Sequence, residues 1–281
     1  MNFKRGFKIK PKEITGIGEV IFTDGTNDVV PNQLACEAYG YTYNSDTGTC
    51  VAFEYSTQVQ NFFNNVSNNK LGADNTTEKG TNNTLINGTN NLTKGNNNNC
   101  LVNGRQHELT NGLNNTAILS GRFGQASNQG EVVMSGGGFN ETLELSQQSF
   151  IQQSGKTTDA TETALLVQYL PLTYIQKVKN SVIGFEAHVI GVNDGVVQGS
   201  AGEYGYFKLT GAVVFTNGLA SSYHQTVHAV VSHGHSGLNL TGTMKDVTAT
   251  SFGVHVTGIT ETNIQWTASI KLWQNKLTTI F

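Results

Sequence analysis

From Gly80 to Gly112 the chain reads GTNNTLINGTNNLTKGNNNNCLVNGRQHELTNG. A stretch so rich in asparagine and so poor in apolar residues ordinarily buries too little surface to offset the entropy of ordering it. Its glycines, however, keep a register. Three places before Gly88, Gly95, Gly104, Gly112 and Gly121 stand Leu85, Leu92, Leu101, Leu109 and Ile118. Two places earlier again, on the same side of an extended chain, stand Asn83, Asn90, Asn99, His107 and Thr116. The unit is [N/H/T]-x-[L/I]-x-x-G, recurring about every eight residues with slips of one. An Asn-rich flexible spacer is the plainer alternative, but it gives no reason for an aliphatic residue to track a glycine through the run.

A unit of one aliphatic residue flanked by polar ones and closed by glycine suits a short strand followed by a tight corner, where glycine takes positive φ. Two units then make a coil of roughly sixteen residues, and stacked coils make a solenoid whose neighbours build the core. Leu85, Leu92, Leu101, Leu109 and Ile118 are the expected repeat core. One such residue per rung is thin, so extra burial is expected from neighbouring chains, with three copies about one axis as the closed arrangement. Asparagine amides stacked rung on rung can pair in ladders.

Composition removes several classes of function. Charged residues make up 13% and the formal net charge is −3, which suits neither a nucleic-acid groove nor an anionic membrane surface. No run approaches the roughly twenty apolar residues of a transmembrane helix. The start, MNFKRGFKIKPKE, is basic without an apolar signal region, so assembly in the cytoplasm is expected rather than export through a secretory route. In that compartment the pair Cys36 and Cys50 can stay reduced or can bridge after release, and Cys100 reads as a small buried residue. The Asn-x-Ser/Thr triplets follow from the asparagine content alone.

Four stretches are expected. Residues 1–52 form a compact N-terminal segment with little core, ordered by docking. Residues 53–71 form a connector, in which Tyr55, Val59, Phe62 and Val66 hold one helical face; a short helical collar and an extended link both fit. Residues 72–138 carry the repeats and a glycine-rich cap. Residues 139–281 hold ALLVQYL, SVIGFEAHVIGV, YGYFKLTGAVVF, SYHQTVHAVV, TSFGVHVTGI and NIQWTASIKLW, strand-length runs separated by turn residues such as Asn193-Asp194-Gly195 and Asn217-Gly218. Trp266, Ala268, Ile270 and Leu272 alternate with Thr267, Ser269 and Lys271. Regular strands of this kind indicate an antiparallel β-sandwich.

The run from about Gly72 to Gly121 resembles the left-handed parallel β-roll heads of trimeric adhesins and the rolls of phage fibre proteins. The C-terminal region, on SGKTTDATETAL, VIGFEAHVIG, EYGYFKLTGAVVF and NIQWTASIKLW, resembles the sandwich domain that follows repeat regions in many phage tail-fibre proteins. The family's longer charged turn is replaced here by GVNDGVVQGSAGEYG, so specificity carried by that loop does not transfer.

No nucleophile elbow, zinc-protease helix, phosphate loop or calcium loop occurs. Within the repeats only Asp74, Glu78 and Glu108 are acidic, too few and too scattered for a glycosidase groove. Six of the seven histidines lie C-terminally, with His224 and His228 on one strand face and His233 and His235 in an H-x-H. Brought to a threefold axis, His233 and His235 could hold a metal ion; as ordinary strand or loop histidines they need no partner, and that reading is favoured. Tyr204, Tyr206 and Tyr223 could meet sugars or serve as strand-end residues. The expectation is an all-β homotrimeric fibre or spike of a bacteriophage, on head or tail, non-enzymatic and without cofactor. It has an N-terminal anchor that joins capsid or tail protein, a parallel β-roll stalk and a C-terminal β-sandwich. The sandwich meets a host glycan or protein, with no nucleic acid and no membrane insertion. A fibre-borne polysaccharide hydrolase or self-cleaving module is the alternative.

Overall fold

The computed structural model describes residues 2–16, 18–45, 47–52, 68–135, 137, 142–195, 201–233 and 240–277. The chain divides into two compact units, 1–64 and 65–281. The collar or link expected over Tyr55, Val59, Phe62 and Val66 falls on residues outside those described.

In the first unit, β1 (Lys10–Ile14), β2 (Val20–Thr23) and β3 (Asp28–Val29) form one antiparallel sheet. Helix α1 (Gln33–Ala38) follows, then the pair β4 (Thr42–Asn44) and β5 (Thr49–Val51). Asn32 caps α1, its Oδ1 accepting from the Ala35 amide at 2.8 Å. Val20, Phe22, Cys36 and Cys50 make a small buried cluster, with Tyr39 and Tyr41 edge-on to Phe22. Cys36 and Cys50 are disulfide-bonded, their Cα atoms 5.7 Å apart.

The second unit begins with paired short strands. β6 (Asn69–Leu71), β8 (Leu85–Thr89), β10 (Leu101–Arg105), β12 (Ala117–Ser120) and β14 (Val132–Ser135) stack in parallel as one ladder. Between them run β7 (Thr76–Thr77), β9 (Leu92–Thr93), β11 (Glu108–Leu109) and β13 (Gln125–Ala126), a second parallel ladder. Leu85 pairs with Leu101 and Leu101 with Ala117, so each coil takes sixteen residues. The chain is an all-β solenoid here, with the coil length that two eight-residue units require.

Amides join the rungs. The Asn91 Nδ2 donates to Asn75 Oδ1 at 3.0 Å, and the His107 amide donates to Asn91 Oδ1 at 2.9 Å. His107 then takes over the asparagine's place: its Nδ1 accepts from the Gly124 amide at 2.9 Å. Glycine marks the closest approach between coils, since a Cβ on Gly88 would overlap the carbonyl oxygen of Gly104.

The repeat core differs from the sequence expectation. The inward column of the first ladder is Ile86, Val102, Ile118 and Val133, each fully buried; Thr93, Leu109 and Ala126 line the second. Leu109 and Ile118 are core, as expected. Leu85 points outward at 38% exposure, and Leu92 and Leu101 are half-buried on outward positions. The cause is strand parity. Ile86 and Val102 lie two residues before their glycines, Leu109 and Ile118 three, and a one-residue slip turns a strand residue to the other face.

The first ladder continues past the repeats. β14 pairs antiparallel with β15 (Ser146–Thr157), which covers the last rung. After β16 (Glu162–Ala164), β17 (Leu166–Val167) and β18 (Ile175–Gln176) come the long strands β19 (Ser181–Asn193), β20 (Tyr204–Phe215) and β21 (Ser221–His233). They are followed by β22 (Thr241–Thr248), β23 (Ser251–Thr257) and β24 (Ile264–Lys276). Neighbours in the long sheet run β14-β15-β24-β19-β20-β21, with β17 beside β15. β16, β18 and β22 pair with β23 in a second sheet. One core joins the two sheets: Phe185, Phe207, Phe215, Trp266 and Ile270 from the long strands with Met244, Phe252 and Val254 from the short sheet. Trp266 Nε1 donates to Thr157 Oγ1 at 2.9 Å, so the largest core side chain leaves no polar atom unpaired.

Candidate attachment surface

Alternation along β19, β20 and β24 places one set of side chains in the core and the other on the open face of the long sheet. On that open face Glu186 meets two nitrogen donors. Its Oε1 receives His188 Nε2 at 2.7 Å and Lys208 Nζ at 2.9 Å. The hydrogen bond from Lys208, then that from His188, holds the Glu186 carboxyl below its usual range. Nδ1 of the same imidazole meets the hydroxyl of Tyr206, the two rings lying stacked at 5.9 Å. Opposite Glu186 on the neighbouring β24, the Lys271 ammonium lies 4.8 Å from the Trp273 ring centre and 5.7 Å from that of Phe150. Phe150 and Trp273 are 37% and 40% exposed. Beside Phe150 opens a hollow of about 280 Å³, lined by Val132, Gln152, Gln168 and Ser269 among others. The face therefore offers aromatic planes, amides and charges of both signs, chemistry that can stack on and hydrogen-bond a polar ligand.

A second polar group lies toward the other side of the domain. Lys177, its side chain 1% exposed, pairs with Asp246 at 2.7 Å, and Asp246 also accepts from Ser221 and Tyr223. Burial pushes Asp246 up, but hydrogen bonds from Lys177, Ser221 and Tyr223 outweigh it and leave the carboxyl below its usual range. This network ties β21 to β22 and keeps Tyr223 structural. Of the three tyrosines read as possible sugar contacts, Tyr206 lies on the open face and Tyr223 does not.

His224 and His228 share the outward face of β21, and His228 Nε2 lies 3.0 Å from Thr210 Oγ1. The backbone of His233 ends β21, while its side chain and the whole of His235 fall outside the described residues. Among the described residues no group of three or more His, Cys, Asp or Glu side chains is placed to hold a metal ion, and no helix is long and apolar enough to cross a membrane.

One acidic residue escaped the sequence reading. Glu144 is 5% exposed; burial pushes its carboxyl up to about 7, against the pull of Lys276 at 3.2 Å, and the nearby Glu131 and Glu108 add to the rise. Only the pairing of β15 with β24 brings Lys276 to it, so no local motif could have announced the site.

No family model matches the chain, and no curated protein matches it. Among solved structures it is similar to the tailspike protein of Acinetobacter phage vB_ApiP_P1, at 9% identity and a TM-score of 0.21, over 68% of this chain and 40% of that one. It is also similar to the tailspike protein of Acinetobacter baumannii phage AM24, at 10% identity and a TM-score of 0.24, over 75% of this chain and 49% of that one. The chain thus spans less than half the length of either.

Proposed function

We propose that this chain is a non-enzymatic attachment appendage of a bacteriophage, a homotrimeric head or tail fibre or spike displayed on the virion after assembly in the host cytoplasm. The first unit joins capsid or tail protein, and the open face of the long sheet contacts a host-surface glycan or protein. The observation that supports attachment best is that face, where Phe150 and Trp273 stand exposed and Tyr206 half-buried beside Lys271, Lys208 and Glu186. Aromatic planes next to mixed charge are costly to leave in water without purpose and suit recognition of a polar surface.

The test is competition. Purified full-length protein should slow adsorption of the cognate phage, and a Phe150→Ala/Trp273→Ala double variant that keeps its fold should lose most of that effect. Equal inhibition by the variant would remove the face from the interaction. Host polysaccharide incubated with the protein should release no new reducing ends.

The hydrolytic reading has one observation in its favour, a carboxyl held near neutrality at Glu144 beside two other glutamates. At 5% exposure and paired with Lys276, that carboxyl cannot reach a glycosidic oxygen without a rearrangement. Turnover of polysaccharide that disappears in Glu144→Gln would establish it.

A further inference from the structure

We propose that the outward face of the first solenoid ladder is the surface on which copies of this chain associate; the inference rests on the homotrimer reading and says which residues build it. Two columns run up this face. One is Asn69, Leu85, Leu101 and Ala117, in direct register; it ends at Val132, whose partner is Phe150 and which lines the hollow of the long sheet. The other holds Leu71, Asn87 and Asn103, in register on successive strands, with Leu119 and Met134 following across the register shift between β12 and β14. Leu71, Leu85 and Leu119 are 50%, 38% and 40% exposed.

Neither column carries a charge; the cations of this ladder, Arg105 and Arg122, stand together at its edge, past Asn103. The amides of the face are partly paired already: Asn87 Nδ2 donates to Asn103 Oδ1 at 3.1 Å and Asn103 Nδ2 donates to the Leu119 carbonyl at 2.9 Å. Such a face loses less when it is dried, since polar groups already paired carry their hydrogen bonds with them. The second ladder has the opposite character: there Lys94 and Glu108 form an ion pair at 2.9 Å, with Glu78 one coil earlier. Two ladders built from one repeat thus differ in the property that decides which can be buried.

Charge is what argues for a second copy as the occupant. Copies meeting with coils level place identical rows against each other, and like charges directly opposite are destabilising, so only an uncharged column tolerates it. Two columns on five strands cover roughly 300 Å² of flat face, at about 4.8 Å between strands and about 7 Å between outward residues. That is small beside the roughly 800 Å² that each partner gives a standard two-body interface. Closure into a ring divides this face between two neighbours, so it sets the register of the chains and does not by itself supply the buried area of a stable trimer. The right-handed twist of the sheet, roughly 20° per strand, turns the charged β19–β20 surface progressively away from this face.

Full-length protein in sedimentation equilibrium should be a trimer, and Leu101→Asp, which puts a carboxylate in the middle of the first column, should sediment as a monomer with an unchanged far-UV spectrum. Leu92→Asp, on an outward position of the second ladder, should remain trimeric. Because Leu101→Asp can also harm folding, Leu85→Cys supplies a second readout: oxidation should yield disulfide-linked pairs of chains from the native assembly. A monomeric wild type would overturn both the trimer and this face. A trimeric wild type with an equally trimeric Leu101→Asp, or without Leu85→Cys cross-links, would overturn the face alone.

Discussion

Asparagine does two jobs in this chain, and only one was visible beforehand. Pairing of like amides between rungs follows from their repetition. The corner role does not: Asn83, Asn90, Asn99 and Asn115 all take positive φ, between 46° and 57°, where asparagine is tolerated better than most residues. Glycine is needed where coils touch. Gly88→Ala should cost about 3–4 kcal/mol, because its φ of 127° is unfavourable for alanine and its Cβ would overlap Gly104. Gly112→Ala, with nothing within 4 Å, should cost only about 1–2 kcal/mol; urea denaturation compares the two. Two buried groups tie stability to pH with opposite signs. Glu144, raised from 4.5 to about 7, stabilises the fold fully below pH 4.5 and loses that contribution as pH rises to 7. Glu144→Gln should therefore gain on wild type by up to about 3 kcal/mol between pH 5 and pH 8. His107, depressed by burial below 6.5, is protonated first in the unfolded chain, so its contribution is lost as pH falls below 6.5. His107→Asn keeps an acceptor for the Gly124 amide and should blunt that acid loss; thermal melts at pH 5 and pH 7.5 test both variants.

At the level of elements, coil length was legible and strand parity was not. Glycine spacing reports the period of the backbone, but the side that a leucine faces depends on how many residues separate it from the glycine, and that interval changes between Val102 and Leu109. The consequence is measurable. Ile118→Ala should cost about 2–5 kcal/mol through the cavity it leaves, whereas Leu85→Ala should cost under about 1 kcal/mol in the isolated chain. The C-terminal strands were legible because their alternation is clean, as in β24, where Trp266, Ala268, Ile270 and Leu272 all enter the core. Helix α1 was missed because six residues carry no helical period; only Pro31-Asn32 ahead of it hinted at a start. In the first unit, replacing Cys36 and Cys50 with serine should lower stability by about 3 kcal/mol, the value for a loop of this length, and leave the melting of residues 65–281 unchanged.

For the whole molecule, the proposed attachment surface was only partly legible. Single aromatic residues such as Phe150 and Trp273 look like ordinary strand residues until β15 and β24 pair and set both beside Lys271. The pairing of β14 with β15 also changes how a truncation should be read. Removing residues 146–281 uncovers the last solenoid rung as well as deleting the long sheet, so substitutions on the open face are the cleaner probe of adsorption. Deleting residues 1–52 removes the described part of the first unit and should leave a soluble assembly that no longer joins particles. The most direct test of a virion appendage is cryo-electron microscopy of purified phage particles carrying this chain. Wild-type particles should show a surface projection with strands stacked at about 4.8 Å, absent from particles made with the 1–52 deletion. Particles that lack the chain, hold it internally, or still display it after that deletion would contradict the proposal.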